Sequence, residues 1–320
     1  MVELYDRKKP ANWPELIGRC VVSLILVFLI QCSQFLVPHF FSDLSFFIQL
    51  LLSALMLLAV ASAAGWCRRL LRVRSSAPAL VFFSVLFVWL VYIAVVRQDA
   101  SLLMNLLFNG QIILLIFGLC RMLSSDPGLV SYSTSPSDAT SQSLVLEMDT
   151  HHLIEDIGLD DRLRRCPICK TYVKGFDHHC PAFGNCIGHK NYVLFMVLLF
   201  GFIWTESTYI VCLSQYSAES ELLDGDGTRL EINFSKKVAR STMLFSILQL
   251  VWQVLFFLWH IYCICFNIRT DEWIHWKRYP EFQIVVQSEQ GLRSNEMKFR
   301  NPYDKGVVQN VKEFIMASKQ

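Results

Sequence analysis

Charge is what this chain has least of: only 18% of its 320 residues are Asp, Glu, Lys or Arg, while 53% are hydrophobic. A soluble domain of that length would carry more charge and would interrupt its apolar runs, so the composition disfavours a soluble fold and points to a membrane protein. The net charge of +2 says little as a total, and the positions of the basic residues say more. Internal repeats are absent from the sequence. A cleavable signal peptide is not expected either. The opening MVELYDRKKPANWPEL is polar and punctuated by proline, and the apolar run after it is too long for the core of such a peptide, so the first span is expected to stay as an anchor.

What is present instead is a series of long apolar runs. Crossing a hydrocarbon core takes roughly 20 mostly apolar residues in a helix that closes its own hydrogen bonds. Six runs qualify, at 17–37, 45–66, 79–96, 101–121, 192–213 and 243–266. The fourth is the most polar, because of Asn105, Asn109 and Gln111. Basic residues in short loops mark the cytosolic side. Arg7, Lys8 and Lys9 precede the first span, and Arg68, Arg69, Arg72 and Arg74 follow the second. Alternation then makes 1–16 a cytosolic tail, 17–121 four spans, 122–191 a cytosolic linker and cysteine-rich module, 192–266 two spans around a lumenal loop at 214–242, and 267–320 a cytosolic tail. Asn233-Phe234-Ser235 is a glycosylation sequon on the expected lumenal side. The fold class expected is an all-α polytopic membrane protein with a small zinc-stabilised module between spans four and five.

Six of the eleven cysteines (Cys20, Cys32, Cys120, Cys212, Cys263, Cys265) fall in or beside apolar runs, where a thiol is ordinarily a small packing residue. Four others crowd into one polar segment, 166-CPICKTYVKGFDHHCPAFGNC-186. Cys166, Cys169, His179 and Cys186 make a three-thiol, one-imidazole set suited to a structural zinc ion, on a side of the membrane where disulfides are disfavoured. Zinc takes four ligands, which leaves Cys180, His178 and Asp177 over. A thiol with its own imidazole and carboxylate has the makings of a nucleophile, a base and an orienting acid; a plain hydrogen-bonded loop is the alternative reading.

The run Asp177-His178-His179-Cys180-Pro181, with Cys186 and then Asn191-Tyr192 ahead of a span, resembles the DHHC protein S-acyltransferases, the palmitoyltransferases. Asp126-Pro127-Gly128 is similar to that family's DPG motif. Arg269-Thr270-Asp271-Glu272 is similar to its TTxE motif with Arg269 in place of the first Thr, and Asn301-Pro302-Tyr303-Asp304 through Asn310 and Phe314 resembles its C-terminal motif. The resemblance runs from about residue 122 to 315. It implies that Cys180 carries the acyl chain, that His178 is the base and Asp177 its partner, and that Cys166, Cys169, His179 and Cys186 hold zinc. It also implies transfer from fatty acyl-CoA, as palmitoyl-CoA, to cytosolic cysteines of membrane-associated proteins, with no nucleic-acid partner. The expected location is an endomembrane (Golgi or ER), the plasma membrane or vesicles.

Two departures from the family pattern stand out. Where it has ligands for a second zinc, this sequence has His152, Glu155, Arg165 and Tyr172, so one ion is expected rather than two. Where it continues Cys-Pro-Trp, this sequence has Cys180-Pro181-Ala182-Phe183, leaving Phe183 to move into the place of the tryptophan. A catalytically weak zinc scaffold of the same fold is the alternative function, and a transporter is a more distant one. Cys67, beside the second loop's arginines, is a candidate acyl acceptor. Glu206 and His260 lie within spans and are read as packing or interface groups rather than catalytic ones. Val307, Val311, Phe314 and Ile315 share a helical face expected to dock the tail.

Overall fold

The computed structural model describes residues 13–130, 162–222, 229–286 and 296–317. Its helices α1 (Trp13–Phe40), α2 (Phe46–Leu70), α3 (Ala77–Val91), α4 (Leu102–Ser124), α5 (Tyr192–Leu222) and α6 (Arg229–Cys265) supply six segments long and apolar enough to cross a membrane. α3 ends in a π-helical turn, Tyr92–Val96. All six coincide with the apolar runs of the sequence, but α5 and α6 run on through most of the segment expected to be a lumenal loop at 214–242. Residues 214–222 and 229–242 contain neither Gly nor Pro, so nothing there breaks a helix. The sequon asparagine Asn233 is exposed but helical.

Several polar side chains inside the spans are paired between helices, as a medium without water favours. The polarity of α4 is explained in this way. Asn105 accepts from the Tyr92 hydroxyl at 2.7 Å, Asn109 accepts from Trp89 Nε1 at 2.9 Å, and Gln111 donates to Thr208 at 3.2 Å, tying α4 to α3 and α5. Gln34 and Ser53 link α1 to α2, and Ser23 bonds Ser76 at the start of α3.

A module of short strands sits on the end of the bundle where α4 stops and α5 starts. Strands β1 (Leu129–Val130), β2 (Leu163–Arg165) and β3 (Tyr172–Lys174) form an antiparallel sheet in the order β1-β3-β2, and β4 (His178–Cys180) pairs with β5 (Asn185–Ile187) as a hairpin. The first joint to the bundle is a turn. Asp126 Oδ1 accepts the backbone N–H groups of Gly128 and Leu129 at 2.9 Å, and its other oxygen meets Lys190 Nζ at 2.9 Å. Partial burial alone would raise the Asp126 pKa, but these donors outweigh it and hold it low.

Gly188 packs under that turn. A Cβ there would lie 2.4 Å from the Pro127 carbonyl oxygen and 2.6 Å from Val173 Cγ1, so backbone itself would have to move. Gly188→Ala is therefore expected to cost about 1–3 kcal/mol by overpacking. Thermal melting of the detergent-solubilised protein should fall accordingly, and an unchanged melting temperature would count against this joint.

The carbonyls at the end of a helix lack intrahelical donors, and asparagines meet them here. Asn185 Nδ2 donates to the carbonyls of Met122 and Ser125 at 3.0 and 2.9 Å, closing the end of α4. At the end of α6, Asn301 donates to the Phe266 carbonyl at 2.6 Å and Asn310 to that of Cys265 at 2.8 Å. After α6 come a short helix α7 (Thr270–His275), a hairpin of β6 (Gln283–Val286) with β7 (Glu296–Phe299), and helix α8 (Val307–Ala317). The tail does dock, through Asn310 and Phe314, whose ring meets Tyr192 at 5.3 Å. The wider apolar face expected to dock is not all buried: Val307 and Ile315 are exposed, because only one edge of α8 faces the bundle.

Candidate functional site

Strand periodicity separates the two neighbouring histidines. Successive side chains on a strand point to opposite faces, and the register of the hairpin pairs His178 with Ile187, His179 with Cys186 and Cys180 with Asn185. His179 and Cys186 therefore share one face, and His178 and Cys180 the other.

On the first face lie the four candidate ligands. Cys166 and Cys169 are presented by a tight turn in which the Lys170 N–H bonds the Cys166 carbonyl at 2.8 Å and the Cys169 N–H points at Cys166 Sγ at 3.3 Å. His179 Nδ1 is 3.8 Å from Cys166 Sγ, 3.3 Å from Cys169 Sγ and 3.6 Å from Cys186 Sγ, and the sulfurs of Cys169 and Cys186 are 3.6 Å apart. A tetrahedral zinc ion at ordinary bond lengths needs sulfur–sulfur edges of roughly 3.8 Å and sulfur–nitrogen edges of roughly 3.5 Å. The donor set and its spacing thus fit one zinc ion, and the purified protein is expected to hold one per chain by elemental analysis. Two would contradict this reading.

The positions expected to lack ligands for a second ion are resolved in part. Arg165 and Tyr172 face each other across β2 and β3, with no thiol or imidazole at either place. His152 and Glu155 lie outside the described residues. Among the described residues, the only other close group of metal-capable side chains is Asp177, His178 and His260.

That second group belongs to the opposite face, and its contacts are those of an oriented imidazole. Asp177 is completely buried. Its Oδ2 is 2.7 Å from His178 Nδ1, and its Oδ1 accepts the Thr270 N–H at 3.0 Å. The Asp271 N–H also bonds the Asp177 carbonyl at 2.9 Å, so the segment after α6 grips this residue at two points. Burial alone would raise the pKa of Asp177. The His178 hydrogen bond and charge outweigh it, aided by His260 and Arg269, and hold the carboxyl well below its ordinary range. For His178 the balance is the mirror image: burial lowers its pKa, but the bond to Asp177 and the neighbouring Cys180 push it up to about 9. With Nδ1 committed to Asp177, the buried Nε2 is the nitrogen left for Cys180.

Cys180 itself is only 5% exposed, at the bottom of an apolar cluster with Leu119, Phe183, Tyr192, Phe195 and Leu198. Phe183 packs in this cluster, with its ring edge-on to Phe195 at 5.9 Å. The cluster continues along α4 and α5 into the span region, and a small cavity beyond it is lined by Val85, Val88, Ile112, Leu115, Phe202, Thr205 and Glu206. A thiol beside a raised imidazole, opening onto apolar walls, can attack an electrophile that carries a hydrocarbon chain. Cys67, by contrast, is exposed at the end of α2 and has no place in this group.

The sequence reading did not place His260 in the site. It reaches Asp177 from α6, with Nδ1 3.9 Å from Oδ2, and its ring lies 5.6 Å from that of His178. Its one signal in the sequence was an ionisable residue within an apolar span, ten positions before Thr270. A larger cavity of about 720 Å³ opens on the other side of Tyr192 and Arg269, lined also by Arg162, Lys174, Lys305 and Phe314.

Comparison with known proteins agrees with the geometry. The family model for DHHC palmitoyltransferases matches residues 156–277. The chain is 25% identical over 224 residues to palmitoyltransferase ZDHHC17 of Homo sapiens, an alignment covering 67% of this chain and 34% of that protein. It is 30% identical over 167 residues to palmitoyltransferase Hip14 of Drosophila melanogaster, covering 49% and 23% respectively. Probable protein S-acyltransferase 3 of Arabidopsis thaliana is 25% identical over 273 residues, covering 75% of this chain and 59% of that one. The chain thus spans about a third of the length of ZDHHC17.

Proposed function

We propose, for a chain whose residues 156–277 match the family model for DHHC palmitoyltransferases, that it moves a fatty acyl group, as palmitoyl, from acyl-CoA to cysteine thiols of membrane-associated proteins. The observation that carries this reading is the division of β4 into two faces, with Asp177, His178 and Cys180 set apart from the ligand cluster and turned toward apolar helices.

The first half-reaction uses the residues of that face. The Cys180 thiol gives its proton to His178 Nε2, and the thiolate attacks the thioester carbonyl of acyl-CoA. A carbon–sulfur bond forms to Cys180 and the bond to the CoA sulfur breaks, with the proton returning to that sulfur. Asp177 keeps the Nδ1 proton in place and offsets the charge of the imidazolium. In the second half-reaction a protein cysteine gives its proton to His178 and attacks the Cys180 thioester; a carbon–sulfur bond forms to the acceptor, the bond to Cys180 Sγ breaks, and the proton passes from His178 back to Cys180. Zinc on Cys166, Cys169, His179 and Cys186 would supply structure, fixing the strand on which His178 and Cys180 ride. The chain of the substrate, with about 0.8 kcal/mol for each buried CH2, favours a site at the mouth of the spans. The module would face the cytosol of an endomembrane, where acyl-CoA and the acceptor thiols are found.

The test is incorporation of a labelled palmitoyl group from palmitoyl-CoA into the purified protein, with release of one CoA per label and transfer to an added cysteine-containing acceptor. Label that is labile to hydroxylamine, survives Cys67→Ala and follows ping-pong kinetics is expected. Failure of well-folded, zinc-loaded protein to take label at several chain lengths would favour the zinc scaffold instead.

A further inference from the structure

His260 is fully buried between the rings of Phe195 and Phe256, with centroids 4.8 and 4.6 Å away, and no step of the transfer uses it. An imidazole among phenylalanines in a membrane helix is costly unless its polar atoms are paired. The pairing here is specific. Nδ1 is 2.9 Å from the Tyr192 hydroxyl and 3.9 Å from Asp177 Oδ2.

The hydrogen-bond inventory orders these contacts. Asp177 accepts only, and Tyr192 has a single hydroxyl proton. His260 Nδ1 faces both the Tyr192 oxygen and the Asp177 carboxylate, and the negative charge of the carboxylate favours the tautomer with the proton on Nδ1. In that tautomer Nδ1–H donates to the phenol oxygen. Asp177 is held by His178 Nδ1–H and Thr270 N–H from two sides, with His260 Nδ1, itself bonded to Tyr192, next to its Oδ2. Cys263 and Arg269 are the remaining ionisable neighbours of this carboxylate. Hydrogen bonds in such a chain strengthen one another.

We propose that His260 is a positioning residue for acyl transfer, acting with Tyr192 beside Asp177 to fix that carboxylate and so the angle at which His178 faces Cys180. The proposal rests on the acyltransferase reading for its purpose, but the geometry it describes concerns the reactivity of Cys180 toward any electrophile. With its Nδ1 proton committed to Tyr192, His260 also leaves Asp177 Oδ2 to His178, the nearer of the two imidazoles.

The experiment uses the full chain in detergent with zinc content measured throughout. It follows two rates for His260→Phe, His260→Asn, Tyr192→Phe and the Tyr192→Phe/His260→Phe pair. One is single-turnover acylation of Cys180 by palmitoyl-CoA over a range of concentrations; the other is alkylation of Cys180 by iodoacetamide, read by mass spectrometry of its peptide. Loss of a hydrogen bond to a charged group corresponds to about tenfold or more in rate. His260→Phe should slow both reactions by that factor without changing the half-saturating palmitoyl-CoA concentration. His260→Asn, whose side-chain N–H stands in for Nδ1–H, should recover most of the loss. Tyr192→Phe should slow both reactions as His260→Phe does, and the pair should be no slower than Tyr192→Phe alone. Wild-type alkylation rates in His260→Phe, or an asparagine variant as slow as the phenylalanine one, would overturn the proposal. Tyr192→Phe removes a single oxygen and decides the matter should His260→Phe not fold. If wild type alkylates at Cys180 but accepts no acyl group, the transferase reading fails while the alkylation arms still judge His260.

Discussion

Cys180→Ser is expected to abolish hydroxylamine-labile acylation while leaving the zinc content and the melting temperature close to wild type. The exchange replaces one sulfur by oxygen at a site that is 5% exposed and already lined by apolar side chains, so little packing is lost. The chemistry is lost completely, because a serine hydroxyl is far less acidic than a thiol of pKa about 8.5 and would make an ester that hydroxylamine cleaves much less readily. Measuring label, zinc and melting on the same preparation separates loss of the nucleophile from loss of the fold. Undiminished thioester label on the variant would place the acyl chain on another cysteine, with exposed Cys67 the first to examine.

Asp177→Asn should lower the rate of Cys180 acylation by about a thousandfold or more, the scale seen when the carboxylate behind a catalytic imidazole is replaced by an amide. The sign of its pH effect follows from the balance at His178. Asp177 is the chief influence pushing that imidazole up to about 9, against a burial that pushes it down. A raised base keeps its proton until the pH passes its shifted value. In wild type His178 should therefore stay able to carry a proton for the leaving CoA sulfur up to about pH 9, with the rate of acylation falling above it. Without the carboxylate the upper limb of the profile should move down, toward or below the ordinary imidazole value of about 6.5. Single-turnover acylation from pH 5 to 10, in zinc-loaded protein, measures both effects. A full-rate variant, or one whose upper limb stays where it was, would remove Asp177 from the mechanism.

The six membrane helices were legible because each needs only length and unbroken apolarity, and both are read along a line. Helix ends were less so: α5 and α6 continue past the bilayer-length runs since a helix stops for want of a breaker rather than at the edge of a hydropathy window. The grouping of Cys166, Cys169, His179 and Cys186 was legible from spacing, since they lie close in sequence as well as in space. His260 was not, because its meaning depends on α6 returning to the module and delivering a side chain within 3.9 Å of a residue 83 positions earlier. The docking edge of α8 lay between these cases. Phe314 was identified from periodicity, yet Asn310, which makes the polar half of the contact, is invisible to a pattern of apolar positions.

A single residue inserted into or deleted from β4 would exchange the two faces of the hairpin, handing the place of His179 to its neighbour and the place of Cys180 to a residue with no such chemistry. The run Asp177-His178-His179-Cys180 therefore behaves as a phase rather than as a composition. Substitutions within it have graded effects, according to which atom is lost, whereas a change of length by one is all or nothing. The connection from Pro181 to Gly184 offers no slack to absorb such a change. Gly184 adopts a φ of +58°, and a Cβ there would stand 2.9 Å from Pro78 at the start of α3. The hairpin from β4 to β5 should accordingly keep its count of residues even where its letters change.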